Sequence, residues 1–322
     1  MPCATALHLT RTQTGYKVRY EDRRDGGAHK DVEAPMVFLG GGTLGTTEIL
    51  LRSRDKNGLQ LSDKLGSHFS TNGDFGGFVV DTANAVYSTR GPINTCHIHA
   101  KFDGLHVAIE ASAIPSMFAA IASTALQVLD NATQRDAFIG KMKLAWQLRL
   151  SDLSNLFPVA PDTKNPSSFK TEAEMVSNIF FFNSMGQDDA SGKMFLDHDK
   201  IQVDWDTPIA NNPVFQKIET LQKAIAEAMG GRYVSFPLWS GFANRKLTIT
   251  HPLGGCPIAP TSFNGVVDDF GRVFDGSKPK GSTDTLPGLY VVDGSAIPGA
   301  LVANPTLTIA AQAIKTVANA LP

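Results

Sequence analysis

Residues 35–52 read PMVFLGGGTLGTTEILLR: an apolar run, a glycine turn, then a run with helical spacing. Such an arrangement commits the stretch to a strand–turn–helix unit, because glycine reaches backbone angles and close approaches that other residues avoid. Gly40, Gly42 and Gly45 also spell G-x-G-x-x-G, the letters of a dinucleotide-binding turn. That turn holds a dinucleotide only when its helix leads to a second parallel strand ending in an acidic residue, about twenty residues on, for the ribose. After Arg54 the chain reads DKNGLQLSDKLGSHF, with no strand on which Asp55 or Asp63 could end. The expectation is a closely packed strand-to-helix turn, not a pyrophosphate cradle.

The flanking segments predict a mixed architecture. ALHLTRT and YKVRYED alternate apolar and polar residues around QTG, which predicts a β-hairpin. LSDKLGSHFSTNGDFGGFVVD is turn-rich and leads into a strand around Phe78–Val80, and residues 93–110, INTCHIHAKFDGLHVAIE, predict two strands meeting at Phe102-Asp103-Gly104. From Pro115 to about Phe157 the recurrence of Phe118, Ile121, Leu126 and Leu129 predicts helix, followed by the proline-rich loop PVAPDTKNPSS. EMVSNIFFFNSMG reads as a buried strand and GKMFLDHDKIQVDWD as a hairpin. NPVFQKIETLQKAIAEAMGG predicts an amphipathic helix with a glycine stop. Beyond it lie short strands and glycine turns, then LYVVDGS as a strand and Pro305–Leu321 as a helix with Leu307, Ile314, Val317 and Leu321 near one face. The order predicts an α/β plus α+β chain, a nucleotide-type layer interrupted by an inserted domain of antiparallel sheet and helices.

The chain of 322 residues is 42% hydrophobic and 19% charged, the balance of a globular protein that buries a core. A net charge of −2 without a long run of one sign argues against a nucleic-acid partner. Cys3, Cys96 and Cys256 are too few and too widely spaced for a disulfide framework. The first residues, MPCATALHLTRTQTGYKVRYED, show no secretory signal, and the most apolar window, SMFAAIASTALQVL, is too short to span a bilayer. A soluble protein, cytoplasmic by default, is expected.

Two further segments, HPLGGC at 251–256 and GLYVVDGSAIPGALVANPTLTIAA at 288–311, join VFLGGGTLGTTEILLRS in resembling the glucose–methanol–choline (GMC) family of FAD-dependent alcohol oxidoreductases. FSTNGDFGGF at 69–78, MGQDDASGKMFLD at 185–197 and NGVVDDFGRVF at 264–274 add to the likeness, which is greatest to the cholesterol-oxidase branch. The resemblance implies a partial FAD-binding domain at 1–68 and 269–322 with a substrate domain at 69–268 between them. It also implies that Met1 stands about where the family's mid-chain hairpin would be, with the FAD-cradling βαβ unit outside this sequence. The implied reaction is oxidation of an apolar alcohol, such as a sterol, with oxygen as acceptor. The rival expectation is a non-catalytic fragment that binds an apolar ligand or needs a separate N-terminal part.

Removing hydride from an alcohol also requires an acceptor for the hydroxyl proton, and histidine titrates near neutrality. His251 matches the family's active-site histidine, and the glycines after it are expected to let backbone approach the flavin ring. By itself, a histidine before proline in a loop is an ordinary polar contact. Asn304 before Pro305 reads as a helix N-cap, and in the family the matching asparagine partners the histidine. The resemblance also sets Asp293, Gly294 and the amides around Thr306 beside the flavin. Glu110 ends a strand in an apolar run; it resembles the carboxylate with which cholesterol oxidases move a proton during double-bond isomerisation, and its plain reading is an edge-strand glutamate facing water. Cys96, His97, His99 and His106 lack the further ligands that a metal site needs and are read as strand residues, with no metal expected. Cys256 is read as a packed small side chain. The helical stretch 116–157 could cap a bulky substrate or touch a membrane, although core packing is the commoner use of such residues.

Overall fold

The computed structural model describes residues 3–102, 104–115, 176–236, 238–239 and 245–321, without the side chains of residues 95 and 102. Most of the expected helical stretch and the proline-rich loop after it therefore lie outside the described residues. In chain order the first strands are β1 (Ala4–Arg11), β2 (Tyr16–Asp22), β3 (Ala28–Ala34) and β4 (Val37–Leu39), followed by helix α1 (Gly42–Asn57). Next come β5 (Phe75–Val80), β6 (Asn94–Phe102), β7 (Leu105–Ser112) and β8 (Phe180–Gly186). Then follow β9 (Lys193–Asp197), β10 (Lys200–Asp204), α2 (Pro213–Ala228) and β11 (Arg232–Ser235). The chain ends with β12 (Arg272–Phe274), β13 (Thr285–Val291) and α3 (Thr306–Ala320).

These elements form two compact units, a mixed α/β arrangement with antiparallel sheets. The first takes Met1–Asp74, Gly186–Val214 and Ile249–Pro322; the second takes Phe75–Met185 and Phe215–Thr248. This partition does not coincide with a division at residues 68 and 268, since 69–74, 186–214 and 249–268 lie in the first unit.

In the first unit β1, β2 and β3 make an antiparallel meander, and β9 and β10 a hairpin. The third strand was not foreseen: AHKDVEA carries a single large apolar residue, Val32, and it pairs along the whole length of β2. The unit's other sheet runs β12-β13-β4, and β13 lies parallel to β4 with Leu289, Tyr290 and Val291 opposite Val37, Phe38 and Leu39. The strand–turn–helix expected at residues 35–52 is β4 and α1. Leu39, Leu50, Leu51, Leu289 and Val291 share one core with Leu9 and Cys256, and full burial of each aliphatic side chain is worth about 1.5–3 kcal/mol.

The parallel neighbour of β4 is thus a strand from the far end of the chain. After α1 the next strand, β5, belongs to the second unit's sheet, so no ribose-binding strand follows the glycine turn.

In the second unit five strands run β11-β5-β8-β7-β6. Alternation along β5 sends Val79 to one face, where Ile109, Phe182 and Ala226 of α2 meet it, and Phe78 and Val80 to the other. On that other face Phe78 stacks on Phe181 with ring centroids 4.9 Å apart. The buried Gln222 of α2 donates to Ser184 of β8 and accepts from the Tyr233 hydroxyl of β11, tying helix and sheet by polar contacts as well.

α3 departs from expectation in two ways. Its N-cap is Pro305, with no side-chain cap, so Asn304 stands one residue outside and does not cap the helix. Its apolar face is open: Leu307 is 84% exposed and Ile314 70%, with Val317 and Leu321 also exposed, whereas the helix buries Thr316. No helix among the described residues is long and apolar enough to cross a membrane.

Candidate active site

The residues that come together in the first unit are organised by one turn, Ser70-Thr71-Asn72-Gly73-Asp74. Gly73 has φ +63, and a Cβ there would lie 2.2 Å from the Gly186 carbonyl oxygen, so only glycine fits. Asp188 holds the turn from behind: its carboxylate accepts from Ser70 Oγ, Thr71 N and Thr71 Oγ1, each at 2.7 Å. Ser70 and Leu253 exchange both backbone hydrogen bonds, which brings the HPLGGC segment alongside.

The turn ends at Asp74, which is 2% exposed. Its Oδ2 accepts from Thr250 N at 2.5 Å, Thr250 Oγ1 at 2.9 Å and His251 N at 2.6 Å, and its Oδ1 lies 2.8 Å from His251 Nδ1. Three donors converge on Oδ2, an arrangement that suits a carboxylate acting as acceptor. With Asp74 as the acceptor, Nδ1 is the donor in the 2.8 Å contact, and Nε2 is the ring nitrogen left on the far side. Asn304 Nδ2 stands 3.4 Å from that Nε2. The amide expected to cap α3 faces the histidine instead, which is the second of the two expectations for Asn304.

Asn72, fully buried, sets the other side. Its Oδ1 accepts from Leu301 N at 2.8 Å and Val302 N at 3.1 Å, and its Nδ2 donates to the Ala303 carbonyl at 3.0 Å. Between those bonds Val302 is held at φ +56, a region that costs a β-branched residue on the order of 1–3 kcal/mol. Two side chains of one turn thus hold both segments, Asp74 the histidine and Asn72 the strand of loop before Asn304.

Asp293 and Gly294 follow β13 and sit against the opening glycine turn. Asp293 Oδ2 accepts from Gly42 N at 2.9 Å and from Thr46 Oγ1, and Oδ1 accepts from Ser295 N at 2.9 Å and Ser295 Oγ at 2.6 Å. One backbone donor that a phosphate would use at the start of α1, Gly42 N, is taken by this internal carboxylate. A Cβ on Gly294 would come within 3.1 Å of Thr43 Oγ1, so the glycine lets α1 approach. The glycines after His251 have a packing duty: a Cβ on Gly254 would lie 1.8 Å from the His68 carbonyl oxygen, and one on Gly255 2.2 Å from Met194 Cε. Their place is fixed by those neighbours. Cys256, wholly buried, has its thiol pushed up to about 12 by burial, which keeps it neutral.

Glu110 belongs to the second unit. It is 7% exposed on β7, opposite His97 of β6, and its Oε2 accepts from Asn94 Nδ2 at 2.8 Å and Asn183 Nδ2 at 3.4 Å. The plain reading of a solvated edge glutamate does not hold, because the side chain is buried and β6, not β7, forms the edge. His97 and His99 are exposed neighbours with ring centroids 4.9 Å apart, and no group of three or more possible metal ligands gathers among the described residues.

Sequence reasoning singled out His251, Asn304, Asp293, Gly294, Thr306 and Glu110 as candidates but not Asp74, Asn72, Asp188 or Thr250. Their partners lie 176 to 231 residues away in the cases of Asp74 and Asn72. The only local signal was Asn-Gly followed by an acid just before the apolar FGGFVV, a turn that delivers a carboxylate into a core.

Residues 238–313 match the family model described as GMC oxidoreductase. The chain is 27% identical over 299 residues to a cholesterol oxidase from Mycobacterium tuberculosis, an alignment covering 90% of this chain and 47% of the relative. Among solved structures, pyridoxine 4-oxidase from Mesorbium loti superposes with TM-score 0.55 at 14% identity, covering 98% of this chain and 57% of that one. Formate oxidase from Aspergillus oryzae gives 0.53 at 15% identity, with 98% and 59% covered. Over residues 238–313 the chain is similar to the GMC oxidoreductase family model, and it spans about half the length of the curated relatives it matches.

A flavin fits part of what these residues offer. α3 begins two residues after Asn304 with no side chain capping its first amides, so its N-terminus is open to a developing negative charge beside the histidine. The start of α1 is not so open, because Asp293 fills it.

Proposed function

We propose that this chain supplies the alcohol-oxidising site of an FAD-dependent oxidoreductase, with a sterol or similarly apolar alcohol as substrate and oxygen as final acceptor. The observation that carries the reading is His251, held by Asp74 at Nδ1 and facing Asn304 at Nε2. FAD, when bound, supplies the acceptor for the hydride of the carbinol carbon. His251 Nε2 takes the hydroxyl proton as that hydride departs, and Asn304 donates from its amide to hold the substrate oxygen or the histidine in register. Thr306 and the first amides of α3 stabilise the charge that accumulates, and Gly294 lets the α1 turn lie close to them. With a sterol substrate, Glu110 would carry the proton in a double-bond shift, its carboxylate steadied by Asn94 and Asn183. The sterol assignment rests on the cholesterol oxidase relative alone.

The flavin's pyrophosphate cradle is proposed to come from a segment outside residues 1–322. Two observations favour this: the chain covers 47% of its relative, and α3 presents an open apolar face. Without that segment the chain holds its histidine site but no FAD, which is the non-catalytic reading in its testable form. Purification of the chain alone should give a colourless protein, whereas a yellow one would show that it binds flavin unaided. In the flavin-loaded assembly, His251→Ala should slow alcohol-dependent flavin bleaching on the order of 100-fold or more. Undiminished bleaching would end the assignment.

A further inference from the structure

We propose that the Asn72–Asp74 turn is the positioning element of the site, with Asp74 fixing the tautomer and orientation of His251 and Asn72 fixing the loop that delivers Asn304. This rests on the reading of His251 as the proton acceptor, and it adds two residues that act through others. Among the described residues, the hydrogen bonds that Asp74 accepts with its side chain all come from Thr250 or His251. A buried carboxylate used only as a fold staple has no need to engage an imidazole nitrogen as well as the same residue's backbone. Gripping both Nδ1 and the backbone N–H of His251 removes the freedom of the ring to turn over, and it leaves Nε2 as the basic nitrogen. Asn72 does the corresponding work for Leu301 to Ala303, at the cost of the left-handed Val302. Because the two side chains are separated by a single glycine, His251 and Asn304 are referred to one rigid frame, itself bolted to Asp188.

The first test needs no flavin. With the chain labelled with 15N-histidine, and the His251 resonance assigned by its loss in His251→Gln, the imidazole at neutral pH should show a protonated Nδ1 and an unprotonated Nε2. Asp74→Asn, whose amide can present either a donor or an acceptor, should give a mixture of tautomers. A wild-type His251 protonated at Nε2 and bare at Nδ1 would overturn the proposal outright, whether or not any variant folds. The second test uses the flavin-loaded assembly. Asp74→Asn should lower kcat on the order of 100-fold, with KM for the alcohol changed by less than about threefold, since proton removal is affected and substrate contact is not. Asp74→Glu, which keeps the charge, should recover part of the rate. Equal tautomer populations and equal kcat in wild type and Asp74→Asn would refute the positioning role while leaving His251 in place. Full activity of His251→Ala would refute the function and leave the tautomer result standing.

Discussion

At the scale of single residues, burial decides which side chains can take part in chemistry. Cys256 sits next to the HPLGG segment, yet its thiol is buried against Thr47 and raised to about 12, so it stays protonated at neutral pH. Cys3 and Cys96 are exposed. Alkylation of the folded chain at pH 8 should therefore modify two of the three cysteines, and the third should react only after denaturation. Rapid modification of Cys256 in the native protein would contradict its burial. The sign of the linkage follows. Above the ordinary thiol range the unfolded chain ionises at this position and the folded chain does not, so stability drains away as pH rises toward 12, and Cys256→Ala should lessen that loss. Position 256 was readable from sequence as a small packed residue, since a lone cysteine among apolar neighbours is usually that. Asp74 was not readable, because its meaning lies in residues 250 and 251.

Elements tell a related story through the glycine turn and α1. Sequence reasoning reached the right connection from the missing second strand alone, but it could not show what fills the helix start. The answer is Asp293, delivered by β13, the parallel partner of β4, and bonded to Gly42, Thr46 and Ser295. A carboxylate at a helix N-terminus interacts well with the helix dipole, and here it also joins the two ends of the chain. Asp293→Ala should cost about 2–4 kcal/mol, because it leaves buried donors on both sides of the joint unpaired. Asp293→Asn, which retains one good acceptor, should cost less, and calorimetric melting of both variants would rank them. Equal stability of wild type and Asp293→Ala would mean that the joint is held by the leucine and valine core alone. β3 shows the opposite limit of legibility. A strand of seven residues with one large apolar side chain gives only a weak alternation to read, and it pairs with β2 along a full row of backbone partners.

For the molecule as a whole, the informative surface is the apolar face of α3. The apolar spacing of Leu307, Ile314, Val317 and Leu321 was read correctly as one helix face, but spacing cannot say whether a face is covered within the same chain. Here the first unit packs against the Thr316 side and leaves the apolar side open. Beside it, Ile297, Leu307, Thr308, Ala311, Gln312 and Lys315 line a hollow of about 440 Å³. Exposed aliphatic side chains on two successive turns favour association when no partner covers them. The proposed flavin-carrying segment is the occupant this face fits, since the chain spans only about half of its relatives. The double substitution Leu307→Gln and Ile314→Gln should then change the stability of the isolated chain by less than about 1 kcal/mol, because both positions are solvated. It should also reduce self-association in sedimentation and weaken retention of FAD when the flavin-carrying segment is supplied. The His251 tautomer should be unchanged, because the Asn72–Asp74 frame does not involve these residues. A destabilisation of several kcal/mol would show instead that the face is packed within the chain, and the need for a covering segment would fall with it.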